Sequence, residues 1–134
     1  MRFGRDEKTK LISQVPLFAN CSKGELQEIA AIADEIDLAE GKALTTEGSP
    51  GREFFVIIEG TASVAQDGDE INNLGAGDFF GEVALVRDTP RTATVTATSP
   101  VRALVVTRQS FKRLIEHQPD IERTVLKALV DRTQ

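Results

Sequence analysis

The sequence predicts a mainly β domain with flanking helices. Three observations carry this. Apolar residues recur at helical spacing in the first third of the chain, the middle consists of short β-rich runs broken by Gly, Pro, Asp and Asn about every 8 to 12 residues, and the helical period returns after Thr107. With 134 residues there is room for one hydrophobic core, so residues 1–134 are expected to form a single domain. It divides into N-terminal helices over 7–33, a β unit over 34–107 and C-terminal helices over 108–134. Hydrophobic residues make up 40% and charged residues 28%, a balance that supports a packed core rather than a disordered chain.

The first helical segment carries Leu11, Ile12, Val15 and Leu17, and Pro16 ends or bends it. A second helix starts at Ser22, where Glu25 three residues on completes a capping-box signature, and Leu26, Ile29, Ala30, Ile32 and Ala33 supply one apolar face. Strands are expected over 34–39, 43–46, 54–58, 61–66, 70–74, 93–97 and 102–107. Turn chemistry separates them at Gly48 to Gly51, at the DGD of Asp67 to Asp69 and at the GAGD of Gly75 to Asp78. Phe54 and Phe55 are neighbours in one strand and so face opposite sides. Beyond Thr107, Phe111, Leu114 and Ile115 form one short amphipathic helix, Pro119 punctuates, and Ile121, Val125, Leu126, Leu129 and Val130 form another.

The formal charge of −5 gives no diffuse positive field, so DNA binding by this chain alone is not expected. An acidic domain binds an anion only through a local set of donors, which directs attention to single arginines. One cysteine, Cys21, and one histidine, His117, allow neither an intrachain disulfide nor a multi-His or multi-Cys metal site. The same scarcity argues against an enzyme, because no nucleophile has a base to activate it. His117 is expected to be exposed near a helix end and Cys21 to be inert. The start of the chain is charged where a signal peptide is apolar, and no apolar run is long enough to span a membrane, so a cytoplasmic protein is expected.

The informative stretch is GAGDFFGEVALVRDTPRTATV, residues 75–95. Gly81 and Glu82 open a short apolar run. A helix beginning there would turn unpaired backbone N–H groups and its positive dipole end toward one spot, a ready anion site, and Gly81 would let a ligand approach the backbone closely. Arg91 follows the tight Thr89–Pro90 turn as it enters a strand; with the loop folded back, its planar charged fork reaches the same anion. Glu82 would repel a phosphate, yet it suits a sugar hydroxyl beside one. A phosphate and a ribose hydroxyl together point to a nucleotide.

This segment, FGEVALVRDTPRTATV, resembles the phosphate-binding cassette of the cyclic-nucleotide-binding domain family. REFFVIIEGTASV is similar to the family's paired strands with a glycine between them, and GAGDFF to the turn leading into the cassette. The resemblance spans roughly 11–129 and implies a double-stranded β-helix, or jelly-roll β-roll, with N-terminal helices, a short cassette helix within 79–95 and C-terminal helices. It also implies that Arg91 pairs with the cyclic phosphate, that Glu82 holds the ribose 2′-hydroxyl and that the backbone at Gly81, Val83 and Ala84 completes the cradle. Thr92 stands where a direct base contact is expected, compatible with cAMP or cGMP. The implied ligand is the cyclic nucleotide, and no cofactor is expected besides it.

The implied role is a regulatory sensor module that passes ligand binding to a protein partner or effector domain. No helix-turn-helix follows the last helix, so the DNA-reading element of the family's transcription factors is not expected in this chain. Phe111 is the last aromatic, so a lid over the base would draw on Arg123, Leu126 or Leu129. Phe79 and Phe80 are expected to pack in the core or as a lid. The apolar faces of the last helix leave homodimerisation open. The alternative reading is a structural or interaction domain that keeps the β-roll without binding nucleotide; against it stands the cost of about 3 to 5 kcal/mol for a buried arginine left unpaired.

Overall fold

The computed structural model describes residues 4–132, and side chains there except those of 129, 131 and 132. Helix α1 (Arg5–Ser13) leads through a 3-10 turn (Pro16–Phe18) into helix α2 (Lys23–Ala31). Pro16 opens the 3-10 turn rather than closing α1, a position where its missing N–H costs nothing. The capping box at α2 is complete: Ser22 Oγ accepts from the Glu25 N–H at 3.2 Å, and Glu25 Oε1 accepts from the Ser22 N–H at 2.8 Å.

Eight strands follow: β1 (Asp34–Leu38), β2 (Ala43–Thr45), β3 (Glu53–Glu59), β4 (Ala62–Gln66), β5 (Asp69–Leu74), β6 (Phe79–Phe80), β7 (Thr94–Ala97) and β8 (Val101–Thr107). They form two four-stranded antiparallel sheets, ordered β1-β8-β3-β6 and β2-β7-β4-β5. Neither order follows the chain, as expected when strands alternate between the two sheets of a jelly roll. Helices α3 (Arg108–His117) and α4 (Pro119–Arg132) close the fold, and His117 ends α3, exposed.

The main core lies between the first sheet and the helices. Phe18, Phe54 and Phe111 are fully buried in it, with Phe18 and Phe54 edge to face at a centroid separation of 5.8 Å. That geometry suits the aromatic quadrupole. Phe55 faces the other way and stacks on Phe80 at 5.0 Å, confirming the opposed faces of the Phe pair in β3. Between the sheets the core is thinner: Ile57, Ala62 and Val95, with Leu44, Val64, Leu74 and Phe80 partly buried around them.

Two local expectations give way. The strand β6 was not anticipated, because a two-residue run carries no period of its own; it exists because Phe79 and Phe80 pair with Val56 and Phe55 of β3. Arg91 does not enter a strand. It lies in a loop, and β7 begins at Thr94.

Candidate functional site

The short helix expected at the cassette is present as a four-residue 3-10 turn, Glu82–Leu85. Gly81 precedes it with φ +84°, a left-handed conformation that a residue with Cβ adopts only under strain. A Cβ there would stand 2.5 Å from Arg91 Nη1 and 2.7 Å from the Glu53 carbonyl oxygen. Gly81 is thus required twice, by its own dihedral and by the guanidinium beside it. Of the N–H groups expected to be open at this turn, that of Ala84 is already bonded to the Gly81 carbonyl at 3.0 Å.

Arg91 is held by a short two-stranded clamp. Its N–H donates to the Ser49 carbonyl and its own carbonyl accepts from the Gly48 N–H, both at 2.8 Å, while the Gly51 N–H reaches the Thr89 carbonyl at 3.1 Å and Pro50 bridges Pro90. A Cβ at Gly51 would lie 3.3 Å from Arg91 Cδ and Nε, so one glycine borders the end of the stem and the other, Gly81, borders the guanidinium. Nη2 donates to the Glu53 carbonyl at 2.5 Å. Burial pulls the guanidinium pKa below its ordinary value, and the Glu53 charge opposes that shift. Arg91 is therefore partnered without a ligand, and the cost of an unpaired arginine does not bear on the choice between a binding and a non-binding domain.

A cleft of about 530 Å³ opens at this point, within the range of roughly 300 to 1,000 Å³ typical of small-molecule sites. It brings together all six residues the sequence singled out: Gly81, Glu82, Val83, Ala84, Arg91 and Thr92. Thr92 is exposed, and its carbonyl accepts from Gln66 Nε2 at 3.1 Å. The lining continues over Val64, Leu74, Val95 and Phe80, giving an apolar floor with charged groups at one end. Phe79 and Phe80 both line it while packing into the cores on either side.

A sequence model of the cyclic nucleotide-binding domain matches residues 35–118, more than half of the chain. The chain belongs to the cyclic nucleotide-binding domain family. Among solved structures, the N-terminal domain of a transcriptional regulator from Streptomyces coelicolor A3(2) is 30% identical with a TM-score of 0.83, over 92% of this chain and 91% of that one. A cyclic nucleotide-binding-like protein from Brucella abortus is 27% identical at a TM-score of 0.76, over 83% of this chain and 99% of that one. A cAMP-bound PfPKA-R is 28% identical at a TM-score of 0.70; 96% of this chain covers 47% of that one. The cyclic nucleotide-binding β-roll with its helices at both ends is thus the fold observed here.

Of the lid candidates, the two with described side chains do not line this cleft. Leu126 lines a different cleft, Arg123 is exposed and pairs with Asp120 at 3.5 Å, and the Leu129 side chain lies outside the described residues. Sequence reasoning missed Gly51 and Glu53. The GSPG turn was legible, but its role as the clamp strand for Arg91 depends on a pairing across about 40 residues of chain, which no local pattern reveals. Cys21 is buried, and burial together with Glu25 pushes its thiol pKa up to about 11, which keeps it protonated and unreactive. No helix among the described residues is long and apolar enough to cross a membrane.

Proposed function

We propose that this domain binds a cyclic nucleotide, cAMP or cGMP, as a regulatory module with no reaction of its own. The observation that carries the reading is Arg91, set between Gly51 and Gly81 at the polar end of an apolar-floored cleft. Of its five N–H donors one is spent on the Glu53 carbonyl, and Nη1 lies beside Gly81, which has no side chain to displace it. The cyclic phosphate takes the remaining guanidinium donors and the backbone of the Gly81 to Ala84 turn. Val83 contributes its N–H, and Ala84 shares one already bonded within the turn. Glu82 accepts from the ribose 2′-hydroxyl, and Thr92 offers its hydroxyl to the base.

The ligand is held by charge and hydrogen bonds at one end and by apolar contact at the other, the division expected of a small-molecule site. The module shifts between conformations only as far as its ligand prefers one of them, and the output is a changed surface for a protein partner or effector domain.

The test is a thermal unfolding scan with and without each nucleotide, on the wild type and on Arg91→Ala. Nucleotide at 100 times its Kd should stabilise by about 2.7 kcal/mol, a rise on the order of 10 °C at this size, absent in Arg91→Ala. No rise with either nucleotide at millimolar concentration, from a protein that melts cooperatively, would sink the proposal in favour of a nucleotide-independent interaction domain.

A further inference from the structure

We propose that Asn72 reads the base and selects guanine over adenine. This rests on the binding reading above and extends it to the far end of the same cleft.

The floor of the cleft is one rung across a four-stranded sheet. Asn72 pairs with Val64, Val64 with Val95, and Val95 with Thr45, so the four side chains share a face, and all four line the cleft. Val64 and Val95 are apolar. The Thr45 hydroxyl is committed, donating to the Ala93 carbonyl and accepting from the Val95 N–H, both at 3.2 Å. Asn72 is the polar side chain on this rung with donors to spare, and it stands on β5, the edge strand.

Its orientation is settled by a neighbour. The Asn73 N–H donates to Asn72 Oδ1 at 2.8 Å, and a backbone N–H needs an acceptor, so the oxygen end of the amide is turned to the main chain. The group left for a ligand is the NH₂, with two donors. From β7 to β5 is two interstrand steps, about 10 Å. A nucleotide with its phosphate at Arg91, three residues before β7, lays its base across Val95 and Val64 toward Asn72. Guanine carries two acceptors on one edge, O6 and N7. Adenine carries N7 and an amino donor there, which would meet the Asn72 donors head on. Thr92 cannot discriminate in this way, since a hydroxyl both donates and accepts.

Titration calorimetry of cGMP, cAMP and cIMP against the wild type, Asn72→Ala and Asn72→Asp decides the matter. cIMP keeps O6 and N7 but lacks the 2-amino group. The wild type should bind cGMP and cIMP about tenfold more tightly than cAMP. Asn72→Ala should bring all three within about twofold, and Asn72→Asp, an acceptor only, should reverse the order. Asn72 is exposed, and each ratio is internal to one protein, so a change in stability cancels. An unchanged cGMP-to-cAMP ratio in both variants, a wild-type preference for cAMP, or a preference that disappears with cIMP would overturn the assignment while leaving nucleotide binding intact. A wild type that binds no cyclic nucleotide would overturn the binding reading, and this inference with it.

Discussion

Two clefts flank the Glu82–Leu85 turn, and the larger is not the one with the built site. The larger, about 870 Å³, lies between the turn and helices α3 and α4, lined by Leu85, Val86, Ile115 and Leu126 with Arg52, Arg108 and Lys112 at its rim. The smaller, about 530 Å³, holds Glu82 and Arg91. In the larger cleft Arg52 and Lys112 are exposed, and Arg108 is taken up by Asp88. In the smaller one Arg91 is fixed by main-chain bonds on both sides of its own Cα and by a carbonyl at its tip, with Gly51 against its stem and Gly81 against its guanidinium. Volume measures where chain is missing; a site needs donors whose positions are set before the ligand arrives.

The sharpest way to break that contrast is to spoil the preorganisation without touching a charge. In Gly81→Ala the added methyl meets Arg91 Nη1 and the Glu53 carbonyl oxygen, at a φ that already strains any residue but glycine. The expected result is a loss of about 2 kcal/mol or more, a melting temperature lower by roughly 8 °C, and no rise on adding nucleotide. Calorimetric scans with and without ligand check both. A variant that melts like the wild type and keeps its ligand response would show that Arg91 needs no such setting.

The sequence was legible where a feature has a local cause. The Ser22–Glu25 capping box, the seven longer strands and the four α-helices each follow from spacing or turn chemistry within a dozen residues, and each is present. Among the cassette residues Gly81, Glu82 and Arg91 were legible from local chemistry and Val83, Ala84 and Thr92 from resemblance, and the cleft gathers all six. What escaped was made by distant pairing. β6 is a strand only because β3 offers it a partner, and Arg91 stays in a loop where Gly48 and Ser49 occupy its backbone. The same holds for Asn72. In the sequence it is one polar residue among several in a polar strand, and only the register that sets it opposite Val64 places it on the cleft floor.

A smaller effect separates the clefts by charge. Were the larger cleft the anion site, reversing Arg52 and Lys112 to Glu would cost as much affinity as losing Arg91. Both are exposed, and screening at physiological salt acts over about 8 Å. The double variant should bind the nucleotide that stabilises the wild type within about threefold of wild-type affinity, as measured by calorimetry in about 0.15 M salt. A loss comparable to that of Arg91→Ala would exchange the roles of the two clefts.

The smallest effect belongs to the ion pair that ties them together. Asp88, in the loop after the cassette turn, pairs with Arg108 at the start of α3, and the Arg108 N–H donates to the Arg52 carbonyl at 2.8 Å. The Asp88 side chain is 86% exposed and that of Arg108 30%, so water competes for one partner far more than for the other. Such a pair contributes about 0 to 1 kcal/mol. In a double-mutant cycle of Asp88→Asn and Arg108→Gln, the coupling energy from melting should fall in that range and shrink as salt is raised. Its value for signalling is separate from its value for stability. The pair joins the loop carrying Arg91 to the helix that walls the larger cleft, so the same cycle run with saturating nucleotide measures how far the ligand changes that link. A coupling that ligand leaves unmoved would mean that the two clefts share a wall and nothing more.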